Sequence, residues 1–222
     1  MDKAIEWGIK AVEGGRSRTA VLVADAYQDK GDLAAAAKWL RRGADDGEVE
    51  AMRRLSEAFF TGAGVEQSSV AGLHWLQRAA DRADADAQMD LAERLYHGHG
   101  VAQDRAAALP LFRKLADGGS ADAMDKMADL AEDKKEALDW RRRAADAGCV
   151  AAMKALAAHF DRANDQKAAF AWFLKATQGG DVDAIREVAA RQRDGKGAKA
   201  NAASARAWLL LGAELYDVEC MC

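Results

Sequence analysis

The amino-acid sequence predicts an all-α solenoid built from repeated helix pairs, and three observations support this fold class. A large apolar residue is followed 17 positions later by a small one, and this step recurs six times along the chain. Self-similarity at a fixed step is the signature of a repeat architecture. Alanine is abundant and proline occurs once, so local propensity favours helices almost everywhere. No run of alternating β-branched residues indicates a strand.

The tryptophans of the chain all fall in this register, which links the end of one helix to the first half of the next. The pairs are Trp7–Ala24, Trp39–Ser56, Trp75–Ala92, Leu111–Ala128, Trp140–Ala157 and Trp172–Ala189, and Trp208 takes the same place in the last helix. In a repeat array each unit buries the apolar face of its neighbour. We therefore expect the indoles to be buried between stacked helix pairs.

The repeats predict a single array over residues 1–222, which starts with a half-unit at residues 1–15. The six predicted repeats span residues 16–47, 48–83, 84–119, 120–148, 149–180 and 181–222. The last helix runs on past Trp208 through further apolar residues: Leu209, Leu210, Leu211, Leu215, Tyr216 and Val218. We expect this helix to cap the array, and its outer face could also support a homodimer, since exposed apolar patches mark interaction surfaces.

The second helix of each repeat, helix B, should end eight positions after its tryptophan or leucine. Glycine permits a left-handed cap at this position. It is found there in five repeats, as Gly15, Gly47, Gly119, Gly148 and Gly180. Ala83 is the exception, so we expect its turn to be built differently or to be longer. Pro110 lies inside another helix B, where it removes a backbone hydrogen bond and predicts a kink or a late helix start.

The first helix of each repeat, helix A, carries an apolar stripe at i, i+4 and i+8, which predicts one face turned toward the core. The stripe is centred on Val23, Leu55, Leu91, Met127, Leu156 and Val188, each followed by a small residue. The step from that small residue to the next helix B tryptophan, or to Leu111, varies between 12 and 19 residues, so the variation lies in the loop. The long loops contain a Gly-x-Gly sequence, followed by Ser68, Asp104 or Asn201 as the expected helix N-cap.

Together these features resemble the Sel-1-like repeat family, which is related to the tetratricopeptide repeats. The frame A-x3-L-[AS]-x2-[YF], then G-x-G-V, then A-x2-W-x3-A-A and a glycine, matches residues 49–119 in two consecutive 36-residue copies. The first repeat, with its shorter turn, looks closer to a tetratricopeptide unit. The resemblance implies a right-handed superhelix of antiparallel helix pairs whose A helices line a concave face. It also implies a role as a scaffold or adaptor for protein partners.

Composition argues against several classes of protein. The net charge of -4 and the pI near 5.6 argue against nucleic-acid binding, which depends on Lys and Arg releasing counterions. The three cysteines are too few to form a disulfide in each repeat, which favours a reducing compartment. Neither a targeting segment nor an apolar stretch of membrane-spanning length is apparent. We therefore expect a cytoplasmic protein without membrane insertion.

Candidate chemical motifs in the sequence are weak. His97 and His99 lack the further ligands of a metal site, and the Gly-x-Gly loops lack the Lys-Ser/Thr of a phosphate-binding loop. Cys220 and Cys222 are interpreted as thiols of a frayed tail rather than as a chelate or a disulfide site. We therefore expect no metal, no cofactor and no catalytic site. Two alternatives stay open: a hydrolase with its active site in the groove, and a self-assembly module that uses the last helix.

The candidate binding site follows from the expectation that A helices line a groove. Residues beside the apolar stripe would then face the partner: Glu50, Arg53, Glu57, Phe60, Asp86, Met89, Glu93, Tyr96, Asp122, Asp125 and Asp129. This set is acidic, with an apolar patch from Phe60, Met89 and Tyr96. It predicts a protein or peptide partner that carries Lys or Arg and one or two apolar anchors. The alternative interpretation is that these charges serve solubility alone.

Overall fold

The structure is a computed structural model that describes residues 2–15 and 18–220. Within these residues it contains thirteen helices and no strand, which confirms the all-α fold class. The helices are α1 (Asp2–Glu13), α2 (Thr19–Asp29), α3 (Leu33–Asp45), α4 (Val49–Thr61), α5 (Ser69–Asp81), α6 (Ala85–His97), α7 (Arg105–Asp117), α8 (Ala121–Leu130), α9 (Lys134–Asp146), α10 (Val150–Arg162), α11 (Gln166–Thr177), α12 (Val182–Asp194) and α13 (Ala202–Cys220).

The chain divides into two compact units, unit 1 at residues 1–112 and unit 2 at residues 113–222. In unit 1 the helices from α1 to α6 pack in consecutive order, and α2 also contacts α4. In unit 2 the helices from α8 to α13 pack in the same consecutive order. Packing between sequence neighbours is typical of repeat proteins. The single array over residues 1–222 and its repeat bounds stay predictions.

The apolar stripe of helix A forms the core of both units, as predicted. Its large central residues are all 3% exposed or less: Val23, Leu55, Leu91, Met127, Leu156 and Val188. The small residues that follow them are equally buried: Ala24, Ser56, Ala92, Ala128, Ala157 and Ala189. Burying one such Val or Leu side chain contributes about 1.5–3 kcal/mol. These positions therefore hold the helix pairs together.

The prediction that every indole is buried is wrong for Trp7, which is 71% exposed. On α1, Ile5, Gly8 and Val12 form the buried face, and Gly8 packs against Val23 of α2. Trp7 lies off that face. Its equivalent Trp75 is buried because it belongs to a core cluster with residues of α3 and α4. The remaining tryptophans are buried at Trp140 and half-buried at Trp39, Trp172 and Trp208.

The expectation of a different turn at Ala83 is also wrong. Ala83 adopts a φ of +61°, in the same left-handed region as the glycines at the equivalent positions, such as Gly47 at +93° and Gly148 at +100°. The connection between α5 and α6 is no longer than that between α3 and α4, with three residues in each case. A residue with a Cβ in this region costs about 1–2 kcal/mol. The repeat geometry therefore imposes the turn on a residue that disfavours it.

The long loops after helix A are held by close backbone approach. A Cβ on Gly64 would overlap the carbonyl oxygen of Leu33, so the loop after α4 rests on the start of α3. All three predicted N-caps are confirmed, since the side chains of Ser68, Asp104 and Asn201 accept backbone amides three residues on. The late start predicted from Pro110 is wrong, because α7 begins at Arg105, directly after its cap, and continues through the proline.

The last described helix, α13, exposes several of the predicted apolar residues. Leu209, Leu210 and Leu211 are 53%, 58% and 41% exposed. The side chains of Leu215, Tyr216, Val218 and Cys220 and the whole of Cys222 lie outside the described residues. The capping role and a homodimer through this helix stay predictions.

Candidate functional site

The predicted binding residues fall on both units. Eight lie on α4 and α6 of unit 1: Glu50, Arg53, Glu57, Phe60, Asp86, Met89, Glu93 and Tyr96. Three lie on α8 of unit 2: Asp122, Asp125 and Asp129. Each group therefore forms a surface of its own unit.

In unit 1, Arg53 gathers several acidic side chains of two successive A helices. Its guanidinium lies 2.5 Å from the carboxylate of Asp86 and 3.6 Å from that of Asp84, both at the start of α6. It also lies 3.9 Å from the carboxylate of Glu50 on its own helix. The structure thus brings three of the predicted residues together. The partial neutralisation by Arg53 makes this end of the face less acidic than the sequence suggests.

A second cross-helix contact involves Arg94, which the sequence analysis did not select. Its guanidinium donates to Glu57 of α4 at 2.8 Å and to Asp90 of its own helix at 2.7 Å. The same guanidinium lies 3.7 Å from the ring centre of Phe60, a cation–π geometry. Phe60 also packs against Gly72 of α5, where an added Cβ would lie 2.9 Å from the ring. Phe60 is therefore engaged within the repeat rather than free.

A third contact joins α4 to α2 by the same device. The guanidinium of Arg54 lies 2.5 Å from the carboxylate of Asp25, and it donates to the side-chain oxygen of Gln28 at 2.9 Å. None of these three residues was predicted as a site residue. The signal available in the sequence was the recurrence of arginine on successive A helices with a carboxylate one repeat away.

The predicted apolar patch is not assembled as one surface by these contacts. The ring of Tyr96 packs edge-on against Phe112 of α7, with 6.1 Å between ring centres, and Arg105 lies 5.0 Å above it. The packing of Tyr96 thus resembles that of Phe60, which lies one repeat earlier in unit 1. Met89 and Glu93 are half-buried on α6. The aromatic side chains serve the packing of their own repeats.

The surface formed by the A helices of unit 1 nevertheless has a negative net charge. Helices α2, α4 and α6 carry seven acidic and three basic side chains, a net charge of -4. Their ion pairs are partly exposed, and such pairs contribute only about 0–1 kcal/mol. We name the set of Asp25, Glu50, Glu57, Asp86 and Asp90 the acidic face.

A pocket of about 310 Å³ adjoins the acidic face between α3 and α4. Its floor is apolar and is formed by Leu33, Ala36, Ala37, Leu40 and Ala58. Its polar lining residues include Gln28, Arg54 and Glu57, which take part in the cross-helix contacts. The size suits one large apolar side chain, and its polar rim is of the kind that orients a ligand.

In unit 2, Asp125 and Asp129 contact Arg141 of α9 at 3.7 and 2.5 Å. Burial, and next the charge of Asp129, raise the pKa of Asp125. Burial also raises the pKa of the Cys149 thiol, and the charges of Asp125 and Asp122 add to this. A thiol with a raised pKa is a poor nucleophile. The Cys149 thiol is therefore less ionised at neutral pH than an ordinary cysteine thiol.

A buried arginine of unit 2 joins α10, α11 and α12. Arg191 is 4% exposed. It forms ion pairs with Asp161 and, at 2.8 Å, with Glu187, and it donates to Gln166 at 3.2 Å. Phe173 lies 4.8 Å from its guanidinium. Because each of its three guanidinium nitrogens donates to a side chain of the repeat, Arg191 has a structural role.

Within the described residues, the histidines form no metal site and no helix is suited to cross a membrane. His97 and His99 stack on one another with 5.1 Å between ring centres. No group of three or more His, Cys, Asp or Glu side chains in that part of the chain is placed to hold a metal ion. Among the described helices, none combines the length and apolar character that crossing a membrane requires.

Comparison with known proteins places these features in a family. The family model described as "Sel1 repeat" matches residues 1–15, 26–48, 49–84, 85–120, 127–149, 152–181 and 182–217. No curated protein matches the chain.

Solved structures show the same fold. A protective antigen present in uropathogenic Escherichia coli strains, described as displaying an SLR fold, is 26% identical with a TM-score of 0.74. That alignment covers 95% of this chain but 48% of the antigen, so the chain spans about half of its length. A Sel1 repeat protein from Oxalobacter formigenes is 21% identical with a TM-score of 0.72, over 95% of this chain and 99% of that one. An immunity protein from Pseudomonas aeruginosa is 18% identical with a TM-score of 0.51, over 87% and 80%.

Proposed function

Since the chain belongs to the Sel1 repeat family, we propose that it is a non-enzymatic scaffold that binds a basic, partly apolar segment of a partner protein on the acidic face of unit 1. Sel1 repeat proteins typically mediate protein–protein interaction. The observation that carries the finer proposal is the apolar pocket between α3 and α4, which opens beside carboxylates of successive A helices.

The carboxylates and the apolar pocket contribute to binding in different ways. Carboxylates at the acidic face attract Lys or Arg side chains over a distance and set the orientation of the segment. The apolar floor of the pocket supplies affinity, because burying one large apolar side chain there removes its surface from water. A segment with two or three cations around one Leu or Phe fits both parts.

The ion pairs of the acidic face are compatible with such binding. Among the described residues, Glu50 and Asp90 each form an ion pair only with an arginine of their own helix, at 3.9 and 2.7 Å, and their side chains are 46% and 42% exposed. An incoming cation can therefore share these carboxylates without breaking a link between helices. Asp122, Asp125 and Asp129 belong to unit 2, and their part in binding is tested separately.

The test is a fluorescence anisotropy titration with a labelled octapeptide in which two leucines are set among six lysines. We expect E50K/D90K to weaken binding at least tenfold, because it replaces two negative charges of the face by two positive ones and so raises its net charge by four. The matched control E66K/D81K makes the same charge change on a loop and on α5, and should alter affinity less than twofold. Equal affinities for the two double variants would refute the acidic face as the site. The triple reversal of Asp122, Asp125 and Asp129 to lysine measures the share of α8.

A further inference from the structure

A second pocket, of about 460 Å³, lies in unit 2 between α9 and α10. It occupies the same place in its repeat as the pocket between α3 and α4, shifted by 101 residues, as Trp39 is shifted to Trp140. Its lining residues are Lys134, Ala137, Leu138, Arg141, His159, Arg162 and Ala163. The two pockets therefore allow a position-by-position comparison within one chain.

The comparison shows cationic residues in unit 2 where the unit 1 pocket has three apolar residues of its floor and one threonine. Leu33, Leu40 and Thr61 of the unit 1 pocket are replaced by Lys134, Arg141 and Arg162, and Ala58 is replaced by His159. Only the part of the floor formed by Ala36 and Ala37 stays apolar, since these residues are replaced by Ala137 and Leu138. No carboxylate lines this pocket, whereas Glu57 lines the first.

Loop length explains why the cationic pocket is open. In unit 1 a seven-residue loop after α4 lies over the start of α3, where Gly64 meets the Leu33 carbonyl group. In unit 2 the loop after α10 has three residues, 163–165, and ends at α11. The start of α9, with Lys134, is thus left without the cover that the longer loop gives to α3. Lys134, His159 and Arg162 are all exposed.

The cations at this rim are available for a ligand. Within the described residues, Lys134, His159 and Arg162 form no ion pair, and Arg162 donates only to the carbonyl group of Ala158 at 3.2 Å. Arg141 is paired with Asp129, so it anchors the inner wall. A second depression begins at the same short turn, with Lys167, Lys196 and Lys199 in its lining. Lysines thus continue from the α9–α10 pocket along this edge of unit 2, where Asp165 is the one carboxylate among the residues that line the second depression.

We propose that the α9–α10 pocket binds an acidic segment of a protein partner, with carboxylates on Lys134, His159 and Arg162 and an apolar side chain against Ala137 and Leu138. Charge complementarity selects the carboxylates, and the apolar floor favours a peptide with an apolar side chain over a backbone of phosphates and sugars. The α9–α10 pocket is a separate site from the acidic face of unit 1. It prefers acidic ligands, whereas the acidic face prefers basic ones.

The test uses the full chain and an amidated, fluorescein-labelled octapeptide in which two leucines are set among six glutamates. We expect saturable binding, weakened at least tenfold in K134E/R162E. The control K38E/R42E makes the same charge change on exposed positions of α3 and should alter affinity less than twofold. Both pairs are surface changes, and equal thermal midpoints would confirm intact folding.

Three results would overturn the proposal. The first is no binding of the acidic peptide up to millimolar concentration, and the second is equal loss of affinity in the two double variants. The third is equally tight binding of a labelled deoxythymidine octamer, which would show that the site recognises polyanions rather than an acidic peptide. Because the lysine peptide tests the acidic face separately, failure at one site leaves the result at the other unchanged.

Discussion

Replacing Ala83 by glycine should stabilise the protein, although it removes a methyl group and adds no contact. Ala83 is exposed, so its methyl group contributes little to the core. Its φ of +61° lies in the left-handed region, where an alanine costs about 1–2 kcal/mol relative to a residue without Cβ. Glycine has greater freedom in the unfolded chain, which offsets about 0.4–1 kcal/mol of that gain. We expect a net stabilisation of about 0.5–1 kcal/mol.

The measurement is a urea unfolding curve of A83G beside the wild type, with the slope checked for constancy. For a chain of this size the expected gain corresponds to a rise in melting temperature of about 1–4 °C. The matched control is G148A, at the equivalent turn between α9 and α10. Gly148 has a φ of +100°, and a Cβ added there would meet no atom within 4 Å, so G148A reports backbone strain less the unfolded-state entropy that alanine removes, with no steric clash.

G148A should lose about 1 kcal/mol, the mirror image of the gain in A83G. If A83G were less stable than the wild type, the strain assigned to this turn would be disproved. If G148A were neutral, the strain of the left-handed conformation would only equal the unfolded-state gain of about 0.4–1 kcal/mol, and the net stabilisation expected for A83G would be refuted.

Three further substitutions test the caps, the loops and the buried arginine. E48D should stabilise by about 0.5–1 kcal/mol in thermal unfolding, because Glu48 caps α4 without a side-chain hydrogen bond and aspartate can reach the amide of Ala51; no gain would contradict the cap. G64A should destabilise by about 1–3 kcal/mol in urea unfolding, since its Cβ would overlap the Leu33 carbonyl oxygen, and an unchanged midpoint would disprove that contact. R191M should cost about 3 kcal/mol by the same assay, because it leaves two carboxylates without their cation; R191K should recover part of this loss.

The sequence was sufficient for the parts of the fold that depend on local periodicity. The apolar stripe of helix A and the three predicted caps depend on spacing and on side-chain chemistry within a few residues. Both can be read without knowledge of the neighbouring repeat. Trp7 shows the limit, because periodicity places an indole on a helix but does not say which side of that helix another helix covers.

The candidate site depended on information that spacing does not contain. Arg94 reaches Glu57 across 37 residues, and Arg191 reaches Asp161 across 30, so each contact joins two repeats. A long arginine side chain can reach several acidic residues. The direction in which it extends determines which of them it contacts, and residue spacing does not give that direction. The sequence could therefore propose an acidic face from Glu50, Glu57 and Asp86 together with Arg53, while missing Arg54 and Arg94, which pair with Asp25 and Glu57.

The pH dependence of two aspartates in unit 2 should have opposite signs. Burial alone raises the pKa of Asp181, but hydrogen bonds from Lys154 and the Ala184 amide outweigh it, so the pKa lies below its ordinary value. Its contribution is therefore fully present above about pH 3.9 and is lost as the pH falls through the lower folded value. Burial raises the pKa of Asp125, so its ionisation costs stability at neutral pH, and this cost disappears as the pH falls through the raised folded value.

The variants D181N and D125N separate these two effects by urea unfolding between pH 7 and pH 3. Asparagine also caps a helix, so D181N removes the charge and leaves the cap, and it should lose about 0.5–1 kcal/mol at pH 7. That loss should stay constant down to about pH 3.9 and should shrink below it, as the pH falls toward the lower folded value. D125N should be as stable as the wild type or more stable at pH 7, because the ion it removes is half-buried and its oxygen facing Arg141 has no hydrogen bond. A large loss in D125N at pH 7 would show instead that the Arg141 pair outweighs the burial of Asp125, and would reverse the sign assigned to this carboxylate.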